Sequence, residues 1–380
     1  MPKVLFLVHG MGDNIPGWSA DVLDQLDQTL ATYPTFEGQP RPFRDQVVVE
    51  EINYDAVFDK TIEPWGRDRA ELEQFARDNR ISLDNTLTTL SLGQLPKDVS
   101  DFVWETLLDP VLYRGSPIVH DNVRQSVTRQ FLTAWDKHLT HNPTADQVDV
   151  SILCHSQGTI VMSDVLAQVG AAQVGETPHP EFLPFSSAKR SISTFITLAN
   201  VSRLGPPDLI DIDSRTSCVR PDSAPPFATN RRNYCRRFIN VRHEFDPFCL
   251  WQRFEPTMSW GGGFVDVPGV RHVHHANTHG FRHYLLNPRV HIPLFRALLG
   301  RDSISPSEEN DAIQNFPDIR PTACTAAIET LRTALRDLAH GDFSDVRALD
   351  DLILKGMSVY QAAKAALESC PELVGGFDAA

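Results

Sequence analysis

Residues Val148 to Val161 read VDVSILCHSQGTIV. The alternating, β-branched residues up to Cys154 predict a strand, and the run from Gln157 predicts a helix start, so the turn between them is centred on Ser156. A serine on so sharp a strand-to-helix turn holds its hydroxyl clear of the backbone, the layout of a nucleophile elbow. The turn needs small residues two positions to either side, because neighbouring backbone passes close by. Gly158 meets that need downstream, and Cys154 stands upstream, small but not the usual glycine. At a helix start the backbone amide of Gln157 has no intrahelical acceptor, and it points to where an oxyanion would develop beside the serine.

Val4 to Val8 (VLFLV) is apolar throughout, which predicts a strand buried on both faces of a parallel sheet. His9-Gly10-Met11-Gly12 follows at once. A glycine-containing turn there can bring a second amide to the serine, and that donor is assigned to Met11. His9 reads as an orienting or structural residue, and His155 as packed at the elbow. On the elbow and this loop together, the chain resembles the α/β-hydrolase superfamily, and within it the lipase- and esterase-like serine hydrolases with an HG-type oxyanion loop. The resemblance spans residues 1 to 300. It implies an α/β fold with a mostly parallel central sheet and helices on both faces, a Ser-His-Asp triad that cleaves carboxylic esters through an acyl-enzyme, and no cofactor.

The acid is expected after a late strand, downstream of the serine. Arg237 to Phe245 (RFINVRHEF) predicts that strand, and Asp246-Pro247 ends it, since proline cannot continue a ladder. Asp246 is the choice. Glu244 lies within the strand, and Asp208, Asp211 and Asp213 follow the earlier strand Ser193 to Ala199. For the base, residues 271 to 284 (RHVHHANTHGFRHY) offer five histidines. The superfamily places its base in a loop before the last helix, here around Ile292 to Leu299. His279 fits best, with His275 second.

Each signal also has a plainer reading. Serine-centred turns occur in non-catalytic α/β proteins, and a binding protein on the same fold is the alternative function. His272, His274 and His275 could ligate zinc, yet no HExxH or paired CxxC accompanies them, and no metal is expected. Cys154, inside a strand, reads as a small buried residue.

Gln46 to Tyr54 predicts a second strand, and Asn122 to His141 a crossover helix with apolar spacing at Val123, Val127, Phe131 and Trp135. The helix-rich insertion between them, about 57 to 118, reads as a cap over the site or as a packing subdomain. Phe248 to Phe264 carries Trp251, Phe254 and Trp260 with three glycines, and is expected either to line an acyl-chain pocket or simply to pack. Residues 301–321 read as a linker, and 322–380 as a helical extension with helices at Thr322 to His340 and Ser358 to Cys370.

The net charge of −14 argues against nucleic acid or an anionic membrane as a non-specific partner. Six scattered cysteines form no disulfide framework, no apolar run approaches the ~20 residues of a bilayer span, and strand prediction from Val4 leaves no room for a signal sequence. A cytoplasmic protein acting on a small-molecule or lipid ester is the expectation.

Overall fold

Strand β1 (Lys3–Val8) has no polar side because both of its faces are covered. Leu5 and Leu7 join one apolar cluster, while Phe6 points the other way and meets the rings of Phe131 and Trp135 at 4.7 and 6.4 Å. The period of two thus splits one strand between two cores. These are features of a computed structural model of the chain. It describes residues 3–10, 15–62, 113, 117–141, 149–173, 192–202, 235–246, 249, 254, 264–274 and 278–316, and the isolated positions 330, 333, 334, 358, 361, 362, 365 and 368.

After β1 come α1 (Ala20–Ala31), β2 (Val47–Ile52), α2 (Asp55–Ile62), α3 (Pro117–His141), β3 (Asp149–His155), α4 (Gln157–Gln173), β4 (Ile192–Leu198) and β5 (Cys235–His243). Strand β6 (Phe264–Val270) and helices α5 (Phe281–Leu286), α6 (Pro288–Leu299) and α7 (Pro306–Asn315) complete the order. The six strands among the described residues are all parallel, in the order β2-β1-β3-β4-β5-β6. The fold is therefore α/β, with helices on both faces. Leu26 and Leu30 of α1 and Val290, Leu294 and Leu298 of α6 pack with Leu153, Ile196 and Ile239 on one side. Val123, Val127 and Phe131 of α3 are buried on the other. Among the described residues, no helix is long and apolar enough to cross a membrane.

The chain leaves β1 towards β2 and then crosses back to β3 on β1's other side. Neighbouring carboxyl ends whose connections depart in opposite directions leave a crevice between them, the usual place for a site in such a sheet. The loop at Gly10 and the turn at Ser156 flank that crevice.

Two elements depart from the expectations. Residues 301–321 are not a plain linker, because Pro306 to Asn315 is helical. Pro306 occupies the first helical turn, where its missing N–H is no loss, and Ser305 with Glu308 forms a capping box. No residue of α7 is buried, so its sequence carries no apolar stripe to read. Strand β6 was also unforeseen. Its Pro268 and Gly269 resemble a breaker, but among the described strands it is the sheet's edge, paired with β5 alone through a register shift between Val241 and His243. An edge tolerates both proline and a bulge.

The expected cap at about 57 to 118 lies outside the described residues, save its first few positions, Tyr113 and the start of α3. In the expected extension, 322–380, the eight isolated described positions are helical.

Candidate active site

Ser156 has φ of 51°, the left-handed conformation that side chains with a Cβ rarely adopt. Such strain costs about 1–3 kcal/mol and persists only where surrounding contacts enforce it. Here they do. The Ser156 amide donates to the Leu198 carbonyl at 3.1 Å, and its carbonyl accepts from the Thr159 amide and hydroxyl at 2.8 and 2.6 Å. The Thr159 hydroxyl in turn accepts from the Val201 amide at 3.0 Å, linking the turn to the end of β4.

Gly158 is required where it stands, because a Cβ would lie 2.3 Å from the His9 carbonyl oxygen and 2.9 Å from that of Val8. Gly10 is equally constrained, with a Cβ there meeting Ser156 Cβ at 2.9 Å. The turn and the first loop are thus in mutual contact. Cys154, in place of the usual glycine, is fully buried in β3. Burial also pushes its thiol up, away from the thiolate a nucleophile needs.

The loop after β1 is tied from behind. The Tyr54 hydroxyl donates to the carbonyls of His9 and Gly10 at 2.9 and 3.2 Å, and His9 Nδ1 donates to the Gly10 carbonyl at 2.6 Å. His9 Nε2 accepts from the Tyr54 amide at 3.3 Å. Burial lowers its ring to about 4, so His9 is neutral. Met11 lies outside the described residues. The other donor, Gln157, is the first residue of α4, so its amide has no intrahelical acceptor. Its side chain is fully buried, and among the described residues neither Nε2 nor Oε1 has a hydrogen-bond partner.

Ser156, His279 and Asp246, chosen from chain order, stand in one hydrogen-bonded row. The Ser156 hydroxyl donates to His279 Nε2 at 2.6 Å, and His279 Nδ1 donates to Asp246, 2.9 Å from Oδ1 and 2.8 Å from Oδ2. Asp246 follows β5, and His279 lies just before the short helix α5. All three are buried, His279 keeping 6% of its surface exposed. Burial alone would raise the Asp246 carboxyl. The facing His279 charge and hydrogen bonds from His279 and Tyr284 outweigh it and hold the acid at about 2.

Further contacts, unseen from sequence, hold this row. His155 Nε2 donates to the His279 carbonyl at 2.6 Å, and its ring stacks on Phe281 with centroids 5.0 Å apart. Thr278 Oγ1 donates to the Phe245 carbonyl at 2.6 Å, tying the base loop to the acid strand. Tyr284 and Cys249 contact the Asp246 carboxylate. No periodicity marks these residues, because each acts through a contact made only in three dimensions.

Of the aromatic stretch, Trp251 and Trp260 lie outside the described residues, as does His275. Phe254 is buried with its ring edge-on to Phe238, 5.6 Å away, in the first half of β5 and away from that strand's Asp246 end. That contact is in keeping with the packing role, one of the two expected for this stretch.

The imidazoles that gather are His243, His272 and His283, with potential ligand atoms within 4.8 Å of one another. Each ring's lone pair already takes a protein hydrogen. His243 Nδ1 accepts from the Phe245 amide at 3.0 Å, His272 Nδ1 from the Asn287 side chain at 3.2 Å, and His283 Nε2 from the His274 amide at 3.2 Å. The remaining hydrogens of His243 and His272 go to the carbonyls of His272 and His283 at 2.7 and 2.8 Å. A metal taking these lone pairs would have to displace those hydrogen bonds, so the donor set fits a packed hydrogen-bonded network better. Neither a family model, nor a curated protein, nor a solved structure matches this chain.

Proposed function

We propose that this chain is an α/β-hydrolase-fold serine hydrolase that cleaves carboxylic esters by acyl transfer to water. The observation that carries the reading is the unbroken row from the Ser156 hydroxyl through His279 to Asp246, set at a strained turn beside a helix N-terminus. A serine hydroxyl is a weak nucleophile by itself. A neutral imidazole hydrogen-bonded to it, and itself held by a buried carboxylate, is the arrangement that activates it.

In this mechanism Ser156 Oγ attacks the ester carbonyl carbon while its proton passes to His279 Nε2. Asp246, ionised at every working pH, holds the Nδ1–H tautomer and balances the imidazolium charge. The Gln157 amide receives the oxyanion, and Met11 is proposed as the second donor. Losing one such donor typically raises the barrier by about 2.7–4 kcal/mol. His279 then protonates the departing alkoxide. A water then attacks the acyl carbon as its proton passes to the same nitrogen, and as the tetrahedral intermediate collapses His279 gives that proton to the departing Ser156 Oγ, releasing the acid. A lipid or other acyl ester is the proposed substrate class, on the aromatic composition of residues 248–264.

The test is labelling by a fluorophosphonate, located by peptide mass spectrometry. Stoichiometric modification of Ser156 that disappears in His279→Ala is expected, followed by turnover of esters of graded chain length. Absence of native labelling would refute the reading and favour a binding protein.

A further inference from the structure

The mechanism gives Asp246 one partner, yet its carboxylate has others. His279 Nδ1 lies almost equally far from both oxygens, 2.9 and 2.8 Å, so the imidazole does not by itself choose the rotation of the carboxylate. The choice is made from the other side. The Tyr284 hydroxyl donates to Oδ2 at 2.6 Å, the Cys249 thiol sits 3.3 Å from the same oxygen, and the Cys249 amide reaches Oδ1 at 3.4 Å. We propose, resting on the serine-hydrolase reading, that Tyr284 is a positioning residue for Asp246, fixing the carboxylate's rotation and taking up part of its negative charge.

Tyr284 suits that task. Its ring is fully buried and edge-on to His155 and His243, with centroids 6.2 and 5.6 Å away, so it has no room to swing. It stands on α5, one turn beyond the base loop, and its amide donates to the Gly280 carbonyl at 3.2 Å. Base and phenol therefore ride on one rigid segment. Burial and the Asp246 charge hold the phenol well above its ordinary range, so it stays a donor at every working pH. The short contact to a charged acceptor belongs to the stronger class of hydrogen bond. Removing it would return charge density to the oxygens facing His279 and free the carboxylate to rotate. The first effect moves the acid limb of the activity profile to higher pH, and the second slows attack by Ser156.

The experiment follows the rate of fluorophosphonate labelling of Ser156 against pH in the wild type, Tyr284→Phe and Tyr33→Phe. Tyr33 is the control, a buried tyrosine whose hydroxyl bonds His291 Nε2 at 2.6 Å, outside the Ser156 row. Tyr284→Phe is expected to label about tenfold more slowly, the lower end for a hydrogen bond to a charged group, with its acid limb displaced upward. Tyr33→Phe should lose melting temperature alone. A wild-type rate in Tyr284→Phe, or a slower rate with an unmoved limb, would overturn the proposal.

If Tyr284→Phe does not fold, Cys249→Ala removes the weaker donor to the same oxygen. A smaller upward displacement supports the inference, and none overturns it. The low-field Nδ1–H proton resonance of His279 reads the Asp246 contact without any probe. A wild type that resists labelling would sink the hydrolase reading, whereas an Nδ1–H resonance unmoved by Tyr284→Phe would sink this inference separately.

Discussion

Lowering the pH from 7 to 5 puts four buried imidazoles in conflict with the fold. Burial holds His9, His243 and His291 at about 4, and burial with the neighbouring His279 charge holds His155 at about 3. Burial leaves an extra charge on these rings with little solvent to stabilise it. His291, for example, already donates from Nδ1 to the Leu285 carbonyl at 2.8 Å and accepts at Nε2 from Tyr33 at 2.6 Å. In the unfolded chain each ring titrates near 6.5. The unfolded state therefore takes up protons that the folded state refuses, and stability falls with pH wherever that holds.

The contribution is intact above pH 6.5, is lost as the pH falls towards 4, and does not fall further below the folded values. At pH 5 each ring removes about 2 kcal/mol. The four together remove between about 4 and 8 kcal/mol, the lower figure allowing for relaxation around a charged ring, against the ~5–15 kcal/mol that holds a typical domain. Asp246 does not contribute in this window. Its depressed value keeps its stabilisation intact above 3.8, and that stabilisation is lost only as the pH falls towards about 2. Urea unfolding between pH 7.5 and 5 should show uptake of between about two and four protons around pH 5.5. A midpoint that stays level across that range would refute the reasoning.

Other perturbations test the site. Gly158→Ala places a methyl 2.3 Å from the His9 carbonyl oxygen, and the ~1 Å retreat this forces should slow Ser156 labelling about 10²-fold; a rate within about threefold of wild type would contradict the geometry. Asp246→Asn, which cannot hold the same imidazole tautomer, should lower kcat about 10⁴-fold with little change in KM, read on any ester the wild type turns over. Gln157→Leu removes two buried, unpartnered amide atoms, whose burial costs about 1–3 kcal/mol each, and should raise the melting temperature. A lower melting temperature would show that the amide is paired in solution.

What could be read ahead of the structure was whatever chain order and strand composition encode. β1, β3 and β4 are buried nearly throughout, as is β5 from Phe238 to Val241, and the β-branched and apolar residues of these stretches mark them as strands. Asp246 was visible because proline follows it, and His279 because a glycine and an apolar helix follow. The misses share a cause as well. α7 buries no side chain, and β6 is an edge that accommodates Pro268 and Gly269, so neither writes a period into the chain. Tyr284 and His155 matter through one hydroxyl and one ring nitrogen, each aimed at a residue 38 or 124 positions away.

Helix α7 changes where this unit can be cut. Glu308 accepts from the Thr35 amide and hydroxyl at 2.9 and 2.8 Å, and Glu309 accepts from Arg296 at 2.7 Å, so the segment clasps two distant parts of the chain. Just beyond it, Phe316 lays its ring edge-on to His272 and His274, with centroids 5.3 and 5.6 Å away. A truncation at Leu299, the end of α6, would remove the Phe316 ring from both imidazoles and release the clasp. A fragment that retains this histidine network therefore extends at least through Phe316, and a protease that nicks the chain near residue 302 attacks part of the folding unit rather than a tether.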